Sequence, residues 1–163
     1  MVSITIIIRN AVDGDVPQIF DVRTSVRENH LSMEQLARIG VTPQAILEVV
    51  HQEPCIWVAM KDDQIIGFSM ASAEEACLFA LFVRPQWEGQ GAGKQLLERA
   101  EAFLFSNSPS IWLHTQSASR AARFYEKRGW KKAGLWHEDE YRYEKHRPDW
   151  IASKRDSVLP PQI

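Results

Sequence analysis

The stretch that most constrains this chain is 77–106, where the apolar run C-L-F-A-L-F-V meets Pro85, then Gly89, Gly91 and Gly93, then a helical stripe. Seven apolar residues ended by a proline predict a strand buried on both faces, and therefore central in a sheet. After the glycines, Ala92, Leu96, Leu97, Ala100, Phe103 and Leu104 recur at helical spacing, with Glu98, Arg99 and Glu101 off that stripe. A strand that feeds an amphipathic helix through a glycine turn commits the chain to a sheet with helices packed on it. The turn also lets backbone approach a ligand closely, and the helix start offers unpaired amides and the positive end of a dipole, which together suit a phosphate. The spacing excludes the G-x-x-x-x-G-K-[ST] nucleotide loop, since Gln95 follows Lys94. It also excludes a G-x-G-x-x-G dinucleotide fingerprint, which needs a parallel β-α-β setting.

The flanking sequence fills in the architecture. Residues 3–9 are β-branched and predict a first strand; Asp13 and Pro17 start a helix that runs to about Asn29. Ser32 with Gln35 forms a capping box for a helix over 33–39 stopped by Gly40, and Thr42-Pro43 opens another to about Gln52. C-I-W-V-A-M, a K-D-D-Q turn and I-I-G-F-S-M-A predict an antiparallel hairpin. I-W-L-H-T at 111–115 predicts a strand, Ser119–Arg128 a helix stopped by Gly129, and W-K-K-A-G-L-W with E-Y-R-Y-E-K-H a final strand pair. The order gives an α+β class, with one domain over 1–148 and a tail over 149–163 that is frayed or a packing arm.

At 163 residues the chain can bury a full core without staples, and its net charge of −2 carries no bulk signature for nucleic acid or an anionic membrane. Neither partner is expected. Cys55 and Cys77 lie in apolar runs and predict buried thiols in a reducing cytoplasm; the five histidines show no metal-ligand spacing, so no metal is expected. The opening ten residues lack the features of a secretory leader, and no run reaches the roughly 20 apolar residues of a membrane span.

Two segments in register carry a resemblance to a known family. V-R-P-Q-W-E-G-Q-G-A-G-K at 83–94 resembles the acyl-CoA-binding motif of the GNAT superfamily of N-acetyltransferases, and S-R-A-A-R-F-Y-E-K-R-G-W at 119–130 is similar to that family's later motif. The resemblance covers nearly all of residues 1–147. It implies a mixed, mostly antiparallel sheet of about seven strands with four to five helices on both faces. It implies acetyl-CoA as co-substrate, with the backbone of Leu81, Phe82 and Val83 facing the pantetheine arm and Gly89, Gln90, Gly91, Ala92, Gly93 and Lys94 facing the pyrophosphate. Tyr125 would protonate the departing thiolate, a role that suits a phenol with an ordinary pKa of about 10.

Two positions depart from the family pattern. Glu88 puts a carboxylate at the mouth of the phosphate site, so its side chain must point away. Ala118 stands where the family often has asparagine, leaving Ser117 or Ser119 to supply that hydrogen bond.

For the acceptor, the resemblance implies an amine. A lysine-like ammonium is less than about 0.1% deprotonated at pH 7, so a base is needed, and Glu75 and His114 are the candidates. Glu28 and Asn29 at the end of the first helix, and Trp136 and His137 before the last strand, are the candidate substrate contacts; Glu138, Asp139 and Glu140 add negative charge there. The expected activity is transfer of an acetyl group to a primary amine of a small molecule or a peptide by direct attack. The alternative is an acyl-CoA-binding or sensing domain. The expected assembly is a monomer or homodimer.

Overall fold

The computed structural model describes residues 5–148; the expectation for the tail over 149–163 lies outside them. Seven strands form one sheet in the order β1-β2-β3-β4-β5-β7-β6. The strands are β1 (Ile7–Asn10), β2 (Ile56–Lys61), β3 (Gln64–Ser72), β4 (Cys77–Val83), β5 (Ser110–Gln116), β6 (Lys131–His137) and β7 (Glu140–His146). Only β4 and β5 run parallel, because the long helix α4 (Ala92–Phe105) returns the chain between them. The α+β class and the helices on both faces agree with the expectation.

The two faces have separate cores. On one, α4 and α5 (Arg120–Glu126) bury Leu96, Leu97, Ala100, Leu104, Ala122 and Tyr125 against Trp57, Ile66, Ile111, Leu113 and Tyr143 of the sheet. On the other, α1 (Val16–Ser25), α2 (Met33–Arg38) and α3 (Pro43–Gln52) pack Ile19, Phe20, Val22, Leu36 and Ile46 on Val58, Ile65 and Phe68. This second helical layer covers β2 and β3. The same face of β5, β7 and β6 carries Trp112, His114 and Trp136, no helix among the described residues covers it, and every residue of β6 is exposed.

Several boundaries differ from the sequence expectation, each for a local reason. A 3-10 turn over Asp13–Asp15 precedes α1, and α1 ends at Ser25 rather than near Asn29. Its last turn is closed by side chains: Thr24 donates to the Phe20 carbonyl (2.9 Å) and Ser25 to the Val22 carbonyl (2.6 Å), after which Val26 is extended. The α2 capping box forms as the spacing predicts, with Ser32 and Gln35 exchanging backbone and side-chain hydrogen bonds.

Two irregularities position the site. On β4 the register jumps from Met70↔Ala80 to Ala71↔Leu78, so Phe79 is an extra residue, and the strand bends there. On β6 the register jumps from Leu135↔Tyr141 to His137↔Glu140, which makes Trp136 the extra residue.

Candidate active site

β4 and β5 share a single register pair, Cys77↔Trp112, and diverge beyond it. The gap becomes a cleft of about 910 Å³ between Leu78–Val83 on one side and Leu113–Gln116 on the other. Its ends are closed by Val26–Asn29 from the loop after α1, Glu88 and Gly93 from around the glycine turn, and Ser119, Arg120, Ala121, Phe124 and Tyr125 from α5 and its N-cap. A splayed parallel pair exposes backbone donors and acceptors that a sheet would otherwise consume, and an extended ligand can use them.

Glycines shape the turn at the mouth. Gly91, with φ of 98°, is the N-cap of α4, and the first helical bond runs from Gln95 N–H to the Gly91 carbonyl at 3.1 Å. The amides of Ala92, Gly93 and Lys94 therefore precede the helical ladder and are available to an anion. A Cβ built at Gly93 would lie 3.5 Å from the Phe124 ring, so α4 and α5 approach closely at this point. On the outer side of α5, Arg120, Arg123, Lys127 and Arg128 surround a smaller hollow of about 290 Å³. The local charge is strongly positive although the chain is slightly acidic.

Glu88 lines the cleft and pairs with Arg120, and the Arg120 amide donates to Glu28 Oε1 at 3.1 Å. The carboxylate that the sequence put at the phosphate site is thus taken up by a guanidinium. Ser119 is the N-cap of α5: its hydroxyl donates its one proton to the Gln116 carbonyl (2.8 Å) and accepts from Ala122 N–H (3.0 Å). Ala118 sits in the left-handed region at φ of 59°, a conformation asparagine tolerates better than alanine.

Tyr125 lies at the bottom of the cleft, 7% exposed, held edge-on by Phe124 (5.3 Å) and Trp130 (5.8 Å). Burial, with the nearby Glu101 carboxylate adding to it, pushes its phenol well above the ordinary tyrosine value. A phenol so placed stays protonated at neutral pH and can donate. Trp130 is fixed in turn by its indole N–H to Glu101 Oε2 (2.9 Å), and Glu101 forms a buried pair with Lys145 (3.1 Å).

His114 also lines the cleft, with Nδ1 3.2 Å from Glu140 Oε1 and its ring stacked on Trp136 at 5.0 Å and 8°. Of the other residues expected at the site, Leu81, Phe82, Val83, Gly93, Ser119, Glu28 and Asn29 all line the cleft. Gly89, Gln90, Gly91, Ala92 and Lys94 form the adjoining turn and helix start rather than the wall. Glu75 lies outside, in the turn at the paired end of β4 and β5, where its carbonyl accepts the Trp112 indole N–H (2.9 Å). Trp136 and His137 do not line the cleft either: Trp136 lies behind His114, and His137 is exposed at the end of β6.

Sequence reasoning did not single out Arg120 or the pairing of Glu140 with His114. The alternation of Glu140, Arg142 and Glu144 carried the second signal, since it places all three on the His114 face once β5 and β7 are paired. Among the described residues no His, Cys, Asp and Glu cluster has metal-binding geometry, and no helix is long and apolar enough to cross a membrane.

Comparison with known proteins agrees with this geometry. Residues 52–132 match the family model for the acetyltransferase (GNAT) domain. The peptidyl-lysine N-acetyltransferase YjaB of Salmonella typhimurium is 34% identical over 84 residues, which are 50% of this chain. The chain spans about half of that relative, 54% of its length. The PaiA N-acetyltransferase of Thermoplasma acidophilum, solved in complex with coenzyme A, superposes with a TM-score of 0.72 at 21% identity, over 87% of this chain and 99% of that one. Ard1 of Thermoplasma volcanium superposes at 0.70 with 16% identity, over 86% and 97%. With a family motif spanning the glycine turn and α5, and a sheet opened between β4 and β5, the chain belongs to the GNAT superfamily.

Proposed function

We propose that this protein is an acetyl-CoA-dependent N-acetyltransferase acting on a primary amine of a small molecule or a peptide. The observation that carries the reading is the single cleft joining the glycine turn, the splayed β4 backbone and a buried, protonated Tyr125. Its residues fit the co-substrate: free amides at Ala92, Gly93 and Lys94 for the pyrophosphate, the backbone of Leu81, Phe82 and Val83 for the pantetheine arm, and the cations of α5 for further phosphate charge. The similarity to PaiA, solved with coenzyme A, supports acyl-CoA use, and the likeness to YjaB, named for peptidyl-lysine, supports an amine acceptor.

Acetyl-CoA supplies the acetyl group as a thioester. The turn amides and the β4 backbone hold it along the cleft, and Tyr125 gives its proton to the departing sulfur. His114 is the base in this reading, because it lines the cleft whereas Glu75 does not. Glu28 and Asn29 face the acceptor from the opposite wall. The two buried, free thiols fit a reducing, cytoplasmic setting.

The test is release of free CoA thiol across an amine panel, with wild type and Tyr125→Phe compared. Phenylalanine keeps the packing against Trp130 and removes only the proton donor. Turnover is expected to fall about 100-fold or more, while stabilisation by acetyl-CoA persists. Undiminished turnover in the variant would overturn the acid assignment. Stabilisation by acetyl-CoA with no CoA release from any amine would favour the binding or sensing alternative.

A further inference from the structure

We propose that Trp136 and Glu140 are positioning residues that clamp the His114 imidazole as a general base with Nε2 presented to the cleft. The inference rests on the acetyltransferase reading and goes beyond it, because it assigns roles to two residues that neither bind the co-substrate nor donate a proton to sulfur.

Two residues of β6, Leu135 and His137, pair with consecutive residues of β7, so Trp136 is the inserted residue of a bulge. A bulge in an edge strand re-aims one side chain. Here it sends the Trp136 indole across β7 to β5, where it lies parallel to the His114 ring at 5.0 Å and 8° and against Trp112 at 4.9 Å. Trp112 is itself fixed on two sides: its indole N–H donates to the Glu75 carbonyl at 2.9 Å, and the Arg142 guanidinium lies 4.5 Å from its ring centroid, with Arg142 held by Glu144 at 2.8 Å. The stack is therefore anchored at its far end rather than free to turn.

Glu140 completes the clamp from β7. The register pairs Gln116 with Glu140 and His114 with Arg142, so Glu140 is the diagonal neighbour of His114 on the open face, and its Oε1 lies 3.2 Å from Nδ1. A carboxylate that accepts from Nδ1–H fixes the tautomer and leaves Nε2 as the basic nitrogen. No protein partner for Nε2 exists among the described residues, and both His114 and Glu140 line the cleft.

The proton balance is complete. Nε2 takes one proton from the acceptor ammonium, and the freed amine attacks the thioester carbonyl. The C–N bond forms, the C–S bond breaks, and sulfur takes the Tyr125 proton. The second amine proton returns to the Tyr125 oxygen, and the imidazolium gives its proton to solvent, so one proton is released per amide formed.

Two measurements test the clamp. Long-range 15N spectra of the whole protein at alkaline pH should show His114 protonated at Nδ1 in the wild type. In Glu140→Ala, the Nε2–H form common in free histidine should replace it. In acetyl transfer, Glu140→Ala should lose about 10- to 100-fold in kcat with the KM for acetyl-CoA unchanged. Trp136→Ala should lose kcat in the same way, and Trp136→Phe, which keeps a stacking ring, should restore most of it. A wild-type His114 protonated at Nε2 would overturn the proposal, as would a Trp136→Ala variant that changes only the acceptor KM, since that result makes the tryptophan an acceptor platform. If wild type binds acetyl-CoA and acetylates no amine, the transferase reading fails and the base role falls with it. The tautomer spectrum then still decides whether the clamp exists.

Discussion

Burial rewrites the acid-base character of individual side chains here, in directions that can be checked one residue at a time. Cys77 and Cys55 are each 1% exposed, and burial, reinforced by Glu75 and Glu53 respectively, pushes their thiols up to about 12 and about 11. The thiolate is the reactive form, so neither cysteine should react with a disulfide reagent at neutral pH while the fold is intact. Titration with such a reagent should count no thiols in the native protein and two after denaturation; a fast native thiol would mean that one of the sites opens locally. The same effect acts on Tyr125 to the opposite purpose, keeping a phenol protonated where a proton is to be given away. The apolar runs around Cys55 and Cys77 made their burial legible in the sequence. The shift at Tyr125 was not, because its burial and the smaller contribution of Glu101, far away in sequence, both arise only when α4 and α5 pack on one face.

At the scale of elements, the tightest constraint is at Gly67 on β3. A Cβ there would lie 2.9 Å from the Phe82 carbonyl oxygen and 3.1 Å from Leu96, between β4 and α4. A carbonyl cannot swing aside as a long side chain can, so Gly67→Ala should push β4 off β3 beside the cleft. The expected loss is about 1 to 3 kcal/mol, read as a fall of several degrees in the thermal midpoint, together with weaker acetyl-CoA binding. An unchanged midpoint would show that the sheet absorbs the methyl group.

A second element contact is pH-dependent. Asp15, in the turn before α1, accepts both Arg9 guanidinium N–H groups at 2.7 and 3.0 Å and the Val12 amide at 2.8 Å, tying β1 to the helix. The Arg9 contact, only partly opposed by burial, holds the Asp15 carboxyl below its ordinary 3.8. With the folded pKa depressed, the contact stabilises fully above the unfolded value and is lost as pH falls through the folded one. Asp15→Asn should therefore be less stable than wild type at neutral pH, and the gap should close in acid, below about pH 4; a gap independent of pH would assign the effect to packing. Helices and strands were legible because side-chain period and caps such as Ser32 and Thr42 act within a few residues. The extra residues Phe79 and Trp136 were not, since a bulge exists only relative to the strand opposite.

For the molecule as a whole, the decisive property is a sheet joined at its middle by one parallel pair, with a cationic hollow beside the opening, on α5, in a slightly acidic protein. A ligand that spans this opening contacts β4 and α4 on one side and β5 and α5 on the other, so its binding energy adds to the cohesion of the two halves. At about 100 times its dissociation constant, acetyl-CoA should add roughly 2.7 kcal/mol, which for a domain of this size raises the thermal midpoint by about 5 to 10 °C. The net charge of −2 gives no long-range attraction, so the attraction must come from the local cluster of Arg120, Arg123, Lys127 and Arg128 together with Lys94. Salt screens exposed charges over about 8 to 10 Å. The stabilisation by acetyl-CoA should therefore shrink with added salt, and it should shrink less in a variant carrying Arg123→Gln and Lys127→Gln. A shift that ignores salt would assign binding to the turn amides and the β4 backbone alone. No shift at millimolar acetyl-CoA would leave the glycines as a turn and the opening between β4 and β5 without its ligand.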